Sequence, residues 1–90
     1  MAQTSEEYED FLREWLCNKP VTAIPGIGPL LGSRLEERGF TTAEKVMELF
    51  VQYGRDMESF KQWLMCVIGS PPYQAEISAR ALWQWCNIHL

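Results

Sequence analysis

At 90 residues the chain has room for one hydrophobic core and not for a second. Apolar residues make up 47%, with four Trp, four Phe and three Tyr, so a packed core is attainable without disulfides, and a charged fraction of 22% excludes wholesale disorder. The formal charge is −4 and the pI near 4.9, which excludes any nucleic-acid contact that works by bulk positive charge.

The spacing of Tyr8, Phe11, Leu12, Trp15 and Leu16 predicts a first helix over 5–16. Thr4 or Ser5 would cap it, with Glu6 and Glu7 in the first turn, where the helix dipole favours negative charge. A short helical turn over 21–24 leads into Pro25. The next helix starts at Pro29, a residue suited to a first helical position, and stops at Gly39. Thr42 is the expected cap of a helix over 43–53, Asp56 of one over 57–68, and a last helix covers 73–89. No strand-like alternation, internal repeat or low-complexity tract appears. The expected fold is all-α, a compact bundle of about five helices plus one short turn, in a single domain spanning 1–90.

The most informative stretch is Ala23-Ile24-Pro25-Gly26-Ile27-Gly28-Pro29-Leu30-Leu31-Gly32-Ser33-Arg34-Leu35. It reads as a helix-hairpin-helix motif over 21–39. Gly26 and Gly28 are expected to hold backbone conformations that residues with a side chain reach only at a cost. They also leave a surface without Cβ atoms, over which a phosphate can reach the free amides that open the following helix. Ile27 should point inward and pin the turn, Gly32 should let the helices approach, and Leu31 and Leu35 should bury the second one. A bare Gly-x-Gly is most simply a turn without a ligand. Here the flanking Ile24, Pro25, Pro29, Gly32 and Leu35 match the hairpin together. Such a motif grips phosphate without reading bases, which implies sequence-independent binding of duplex DNA.

Further stretches carry a resemblance: Lys19-Pro20-Val21, Gly26-Ile27-Gly28, Leu35-Glu36-Glu37-Arg38-Gly39-Phe40, Phe60-Lys61-Gln62-Trp63-Leu64 and Leu82-Trp83-Gln84-Trp85-Cys86-Asn87-Ile88-His89-Leu90. With them nearly the whole chain resembles the barrier-to-autointegration factor family, without a gap. The resemblance implies an all-α homodimer with a hairpin at each end, so that one dimer bridges two duplexes. It also implies LEM-domain proteins and lamins as partners, work in nuclear envelope and chromatin organisation, and a nuclear location with a cytoplasmic pool allowed. N-terminal phosphorylation weakens DNA binding in the family, and Thr4 and Ser5 match that region. Carried over residue by residue, the DNA-binding set is Ser5, Gly26, Ile27, Gly28, Leu30, Leu31, Arg34 and Arg55.

The sequence departs from the family pattern at charged positions. Glu7, beside Glu6, stands where the family carries a lysine, and Tyr73 and Glu76 stand where it carries basic residues. Arg34 and Arg55 keep cations. Glu6 and Glu7 would act like a permanently phosphorylated N-terminus, or would merely favour the helix start; both readings stay open. So do three functions, in this order: DNA binding and bridging; a protein-interaction member that pairs with a typical family subunit or a LEM-domain protein and binds DNA weakly or not at all; and a purely structural role with the hairpin as scaffold only.

The family's dimer contact falls on the helix over 43–53, which shows Val46, Leu49, Phe50 and Tyr53 on one side and Ala43, Met47 and Val51 on another. The expected contact residues are Ala43, Met47, Glu48, Phe50 and Val51. Glu48 replaces a family glycine, and a buried carboxylate needs a partner or a proton. A shifted homodimer, a heterodimer with a family paralogue and a monomer are all open. Of Trp63, Trp83 and Trp85, core packing explains the first and last, and Trp83 is expected to be partly exposed.

Catalysis is not expected. His89 is the only histidine and sits at the end of the chain, and no nucleophile–base set is present. Cys17, Cys66 and Cys86 form an odd set without zinc-site spacing, which fits a reduced chain, with Cys66 and Cys86 as small buried hydrophobes. No cofactor, metal or small-molecule substrate is implied. No apolar run approaches the ~18 residues that span a bilayer, and the acidic start does not resemble a signal peptide, so no membrane insertion is expected.

Overall fold

The structure, a computed structural model, describes residues 2–90, with side chains from Tyr8 onward. The side-chain roles anticipated for Thr4, Ser5, Glu6 and Glu7 lie outside the described residues. Five α-helices follow one another: α1 (Ala2–Arg13), α2 (Pro29–Glu37), α3 (Ala43–Gln52), α4 (Met57–Trp63) and α5 (Pro72–His89). A 3-10 turn at Val21–Ala23 precedes α2, and a π-helical turn at Leu64–Ile68 continues α4. Among the described residues there is no strand, only an isolated antiparallel bridge between Pro20 and Thr42. No described helix is long and apolar enough to cross a membrane.

The first helix sits about one turn earlier than the apolar spacing suggests, so Thr4 and Ser5 lie inside it and Leu16 beyond it. Its end is set from the far end of the chain. Trp85 Nε1 donates to the carbonyl of Glu14 at 2.9 Å, and the carbonyl of Leu12 accepts from His89 Nε2 at 2.6 Å. Acceptors that a helix end leaves free are thereby satisfied by α5. His89 is thus anchored, its ring tilted against those of Trp85 and Trp15.

The other boundaries have local causes. At the end of α2 the amide of Gly39 donates to Glu36 and that of Phe40 to Leu35, a Schellman stop. Thr42 Oγ1 accepts from the amide of Lys45 at 3.3 Å, and Asp56 Oδ1 from that of Glu58 at 3.2 Å, capping α3 and α4. The predicted helix over 57–68 changes to π geometry after Trp63. Phe60, Leu64 and Ile68 recur every fourth residue and are buried, which leaves Cys66 on the opposite side. The expectation of a buried Cys66 is therefore corrected: Cys66 and Cys17 are exposed, and only Cys86 is buried.

The core runs through the middle of the molecule and draws on every helix, with Phe50, Phe60, Leu35, Leu64 and Leu82 fully buried. Each such side chain contributes about 1.5–3 kcal/mol relative to leaving it in water. On α5 the small residues Ala75, Ser78, Ala79 and Ala81 are buried, which lets α1 and α4 close on it from either side.

The expected dimer face needs a second correction. Ala43, Val46, Met47 and Phe50 form one broad stripe that faces the protomer's own core, with Met47 Sδ 3.5 Å from Cys86 Sγ. Ala43 and Phe50 are wholly buried in that core, and Met47 reaches the surface only at the floor of a cleft beside Glu44 and Glu48. Glu48 is exposed rather than buried, and with Val51, 41% exposed, it forms what remains of the expected contact set. Trp85 is buried, and Trp63 packs half-buried against Phe40 and Phe60 at 5.3 and 5.9 Å. Trp83 is 39% exposed.

Candidate functional site

Between the 3-10 turn and α2 the chain turns through Pro25-Gly26-Ile27-Gly28. The amide of Ile24 donates to Val21 and that of Ile27 to Ile24, which draws the turn tight, and the Ile27 side chain is buried beneath it. Gly32 meets the 3-10 turn closely, since a Cβ there would lie 2.9 Å from Thr22 Cγ2.

The two hairpin glycines have different causes. Gly26 has φ +89°, and a Cβ on it would lie 2.5 Å from Ser78 Oγ and 2.6 Å from the carbonyl oxygen of Gln74. Both the backbone and the packing against α5 demand glycine there. Gly28 has φ −89° and ψ −173°, ordinary extended backbone, so the expected special conformation at this position is corrected. A Cβ on Gly28 would meet nothing within 4 Å. What the glycine leaves is open space directly in front of α2.

Gly28 is the N-cap of α2 and Pro29 its first residue, so the amides of Leu30 and Leu31 open the helix without an intrahelical acceptor. The carbonyl of Gly28 is already used by the amide of Gly32 at 2.8 Å. Leu30 is 64% exposed beside this opening, whereas Leu31 is buried. This arrangement favours an anion approached through backbone N–H groups.

Ser78 and Gln74 were missed from the sequence. The hydroxyl of Ser78 donates to the carbonyl of Pro25 at 2.7 Å from a fully buried position, fixing the entry to the hairpin. A signal existed: a serine inside the apolar stripe Ala75, Ser78, Ala79, Leu82 has to find a buried acceptor.

The cations are less well placed. Arg34 belongs to α2, yet its Nη1 donates to the carbonyl of Ile68 at 3.1 Å, capping the π turn. Arg55 lies between α3 and α4, and its charge acts on the Cys86 thiol, which burial pushes up. The hairpin touches α5 at Gln74 and Ser78. Glu76 pairs with Lys61 and Arg80, each at 3.0 Å, and the hydrogen bond from Lys61 holds its carboxyl below the usual range. The structure brings together Gly26, Ile27, Gly28, Leu30 and Leu31, while the contact shown for Arg34 is with the Ile68 carbonyl. Among the described residues no group of three or more His, Cys, Asp or Glu could hold a metal ion.

The model of the family described as barrier to autointegration factor matches residues 2–89. A barrier-to-autointegration factor of Danio rerio is 38% identical over 90 residues, covering 100% of both chains. That of Homo sapiens is 37% identical over 87 residues, 97% of this chain and 98% of its own length. The Drosophila melanogaster protein is 36% identical over 87 residues, with 97% of each chain covered.

Proposed function

The chain belongs to the barrier-to-autointegration factor family, and from that premise we propose that it binds double-stranded DNA without reading its sequence, through the backbone of residues 26–31. Gly28 carries this reading. Neither its φ nor its packing calls for glycine, so the missing side chain serves whatever approaches the α2 amides from outside. Two phosphate oxygens on the amides of Leu30 and Leu31, with the helix dipole behind them, make a contact that needs no lysine. It reads no base edges, so it is indifferent to sequence. The role is non-enzymatic. In the manner of the family, a single domain over 1–90 with its helix-hairpin-helix at 21–39 would bridge duplexes as a dimer in the nucleus, with LEM-domain proteins and lamins as partners.

The test is a fluorescence-anisotropy titration of a short duplex against the purified chain and its Gly28→Ala and Gly28→Val variants, with thermal melts of all three. The expected result is unchanged folding and an affinity that falls with each added carbon. Equal affinity in the three proteins, or no binding even at low salt, overturns the reading.

A second reading has its own support. The charged groups around the hairpin are spent on one another: Lys61 and Arg80 on Glu76, and Arg34 on the Ile68 carbonyl. These pairings compete with phosphate for the same cations, which would weaken binding at physiological salt. The chain would then work by pairing with a more typical family subunit or a LEM-domain protein. Co-elution with such a subunit, together with no DNA shift at low salt, would favour it.

A further inference from the structure

A cleft of about 440 Å³ lies beside the hairpin, between its inner edge and the end of α1. Asp10, in α1, and Glu14, just past its end, line it together with Trp15. Trp15 is 64% exposed although it is a large aromatic. It is not loose. Its ring meets Trp85 edge-on at 5.9 Å and His89 at 4.8 Å, and both of those side chains are hydrogen-bonded to the end of α1. A rigid indole with an open side binds a partner without a further ordering cost.

Along the sequence the charge of the chain is segregated toward the segment that ends at this cleft. Residues 2–14 hold Glu6, Glu7, Glu9, Asp10 and Glu14 against Arg13 alone, five carboxylates and one guanidinium, which equals the whole net charge of −4. Residues 15–90 are therefore neutral. Asp10 pairs with Arg13 and Glu14 with Lys19, but these are solvent-exposed partners that an incoming cation can replace. Apolar walls, an exposed indole face and two carboxylates are complementary to a cationic side chain with an aliphatic stem.

We propose that this cleft docks a lysine- and arginine-rich segment of a partner protein, with one cationic side chain lying on the Trp15 indole between Asp10 and Glu14. The cleft shares the backbone of Gly26, Ile27 and Gly28 with the hairpin, but docking on Trp15, Asp10 and Glu14 needs no DNA and is tested without it.

The test titrates fluorescein-labelled octa-arginine into the full chain, without DNA and at near-physiological salt, against a neutral glycine–serine octapeptide. Saturable one-to-one binding is expected. Trp15→Ala, which leaves the charge unchanged, should weaken it about five-fold, the order of one partly desolvated cation–aromatic contact. Trp15→Phe should restore part of the loss. The pair Asp10→Asn with Glu14→Gln should weaken it as well. The control is Glu44→Gln with Glu48→Gln, an equal charge change at a second cleft of about 310 Å³ that shares Trp15. Thermal melts confirm that each variant folds. Equal losses in the two charge pairs would mean only general attraction, and a loss confined to the control pair would put the peptide in the other cleft. Either result overturns the proposal, as does binding indifferent to Trp15→Ala.

Discussion

Ser78, buried in the middle of α5, donates its hydroxyl to the carbonyl of Pro25 at 2.7 Å, and the same oxygen lies where a Cβ on Gly26 would have to go. One side chain thus fixes both the hydrogen bond and the shape of the hairpin entry. Ser78→Ala leaves the Pro25 carbonyl buried without a partner and should cost about 1–3 kcal/mol in urea unfolding. Gly26→Ala should cost more, because strain at positive φ adds to the clash. Gly28→Ala should fall within about 0.5 kcal/mol of the parent, since a small loss in helix capping offsets the gain from a less flexible unfolded chain. A Gly28→Ala cost as large as that of Gly26→Ala would mean that the fold, not a ligand, requires Gly28.

Arg34 offers a test that separates structure from phosphate contact. Its guanidinium joins α2 to the carbonyl of Ile68 at the end of the π turn. Arg34→Ala should lower stability by about 1 kcal/mol, a charged hydrogen bond discounted for its exposure. The slope of log affinity for DNA against log salt should stay the same. A slope shallower by about 0.9 would show instead that Arg34 neutralises a phosphate.

What could be read from the sequence was local in origin. Thr42, Asp56 and Gly39 act within a few residues of themselves, and they cap or stop helices where the pattern puts them. The hairpin was legible for the same reason. The end of α1 was not, because Trp85 and His89 decide it from more than seventy positions away. Nor could spacing show that Ala43, Met47 and Phe50 face the protomer's own core. That depends on α5 presenting Cys86 to Met47, a tertiary contact with no local signature. At Gly26 and Gly28 the residue type is the same, and only the surroundings tell a glycine the fold needs from one it merely allows.

Glu76 makes stability depend on pH in a defined direction. Its carboxyl is held below the ordinary value of 4.5, first by the hydrogen bond from Lys61 and then by that cation's charge. A depressed carboxyl stabilises the fold above the unfolded value, and the effect is lost as pH falls through the folded one. Lys61 is raised above its ordinary 10.5, so its share is present below that value and is lost as pH rises past the folded one. The difference in urea midpoint between the parent and Glu76→Gln should therefore be flat between about pH 6 and 8 and shrink below about pH 4.5. The pair is exposed, so the difference will be small. A gap that widens in acid would contradict the assignment.

Glu48 decides what α3 can meet. Its helix shows solvent Glu44, Lys45, Glu48, Val51 and Gln52, since the apolar stripe is used inside the protomer. A two-fold dimer through this face would set the same patch against itself. Glu44 and Glu48 would then approach their own copies, with Lys45 as the one offsetting cation of the helix and Val51 as its exposed apolar residue. Self-association should accordingly be weak at low salt and strengthen as salt screens the repulsion. Glu48→Ala removes the charge without the helix penalty of a glycine. Light scattering across a concentration series should show its dimerisation midpoint lowered about ten-fold, which is roughly 1.4 kcal/mol. If the parent is already a dimer at low salt and Glu48→Ala leaves it unchanged, the seam lies elsewhere, and the exposed side of α3 is free for another subunit.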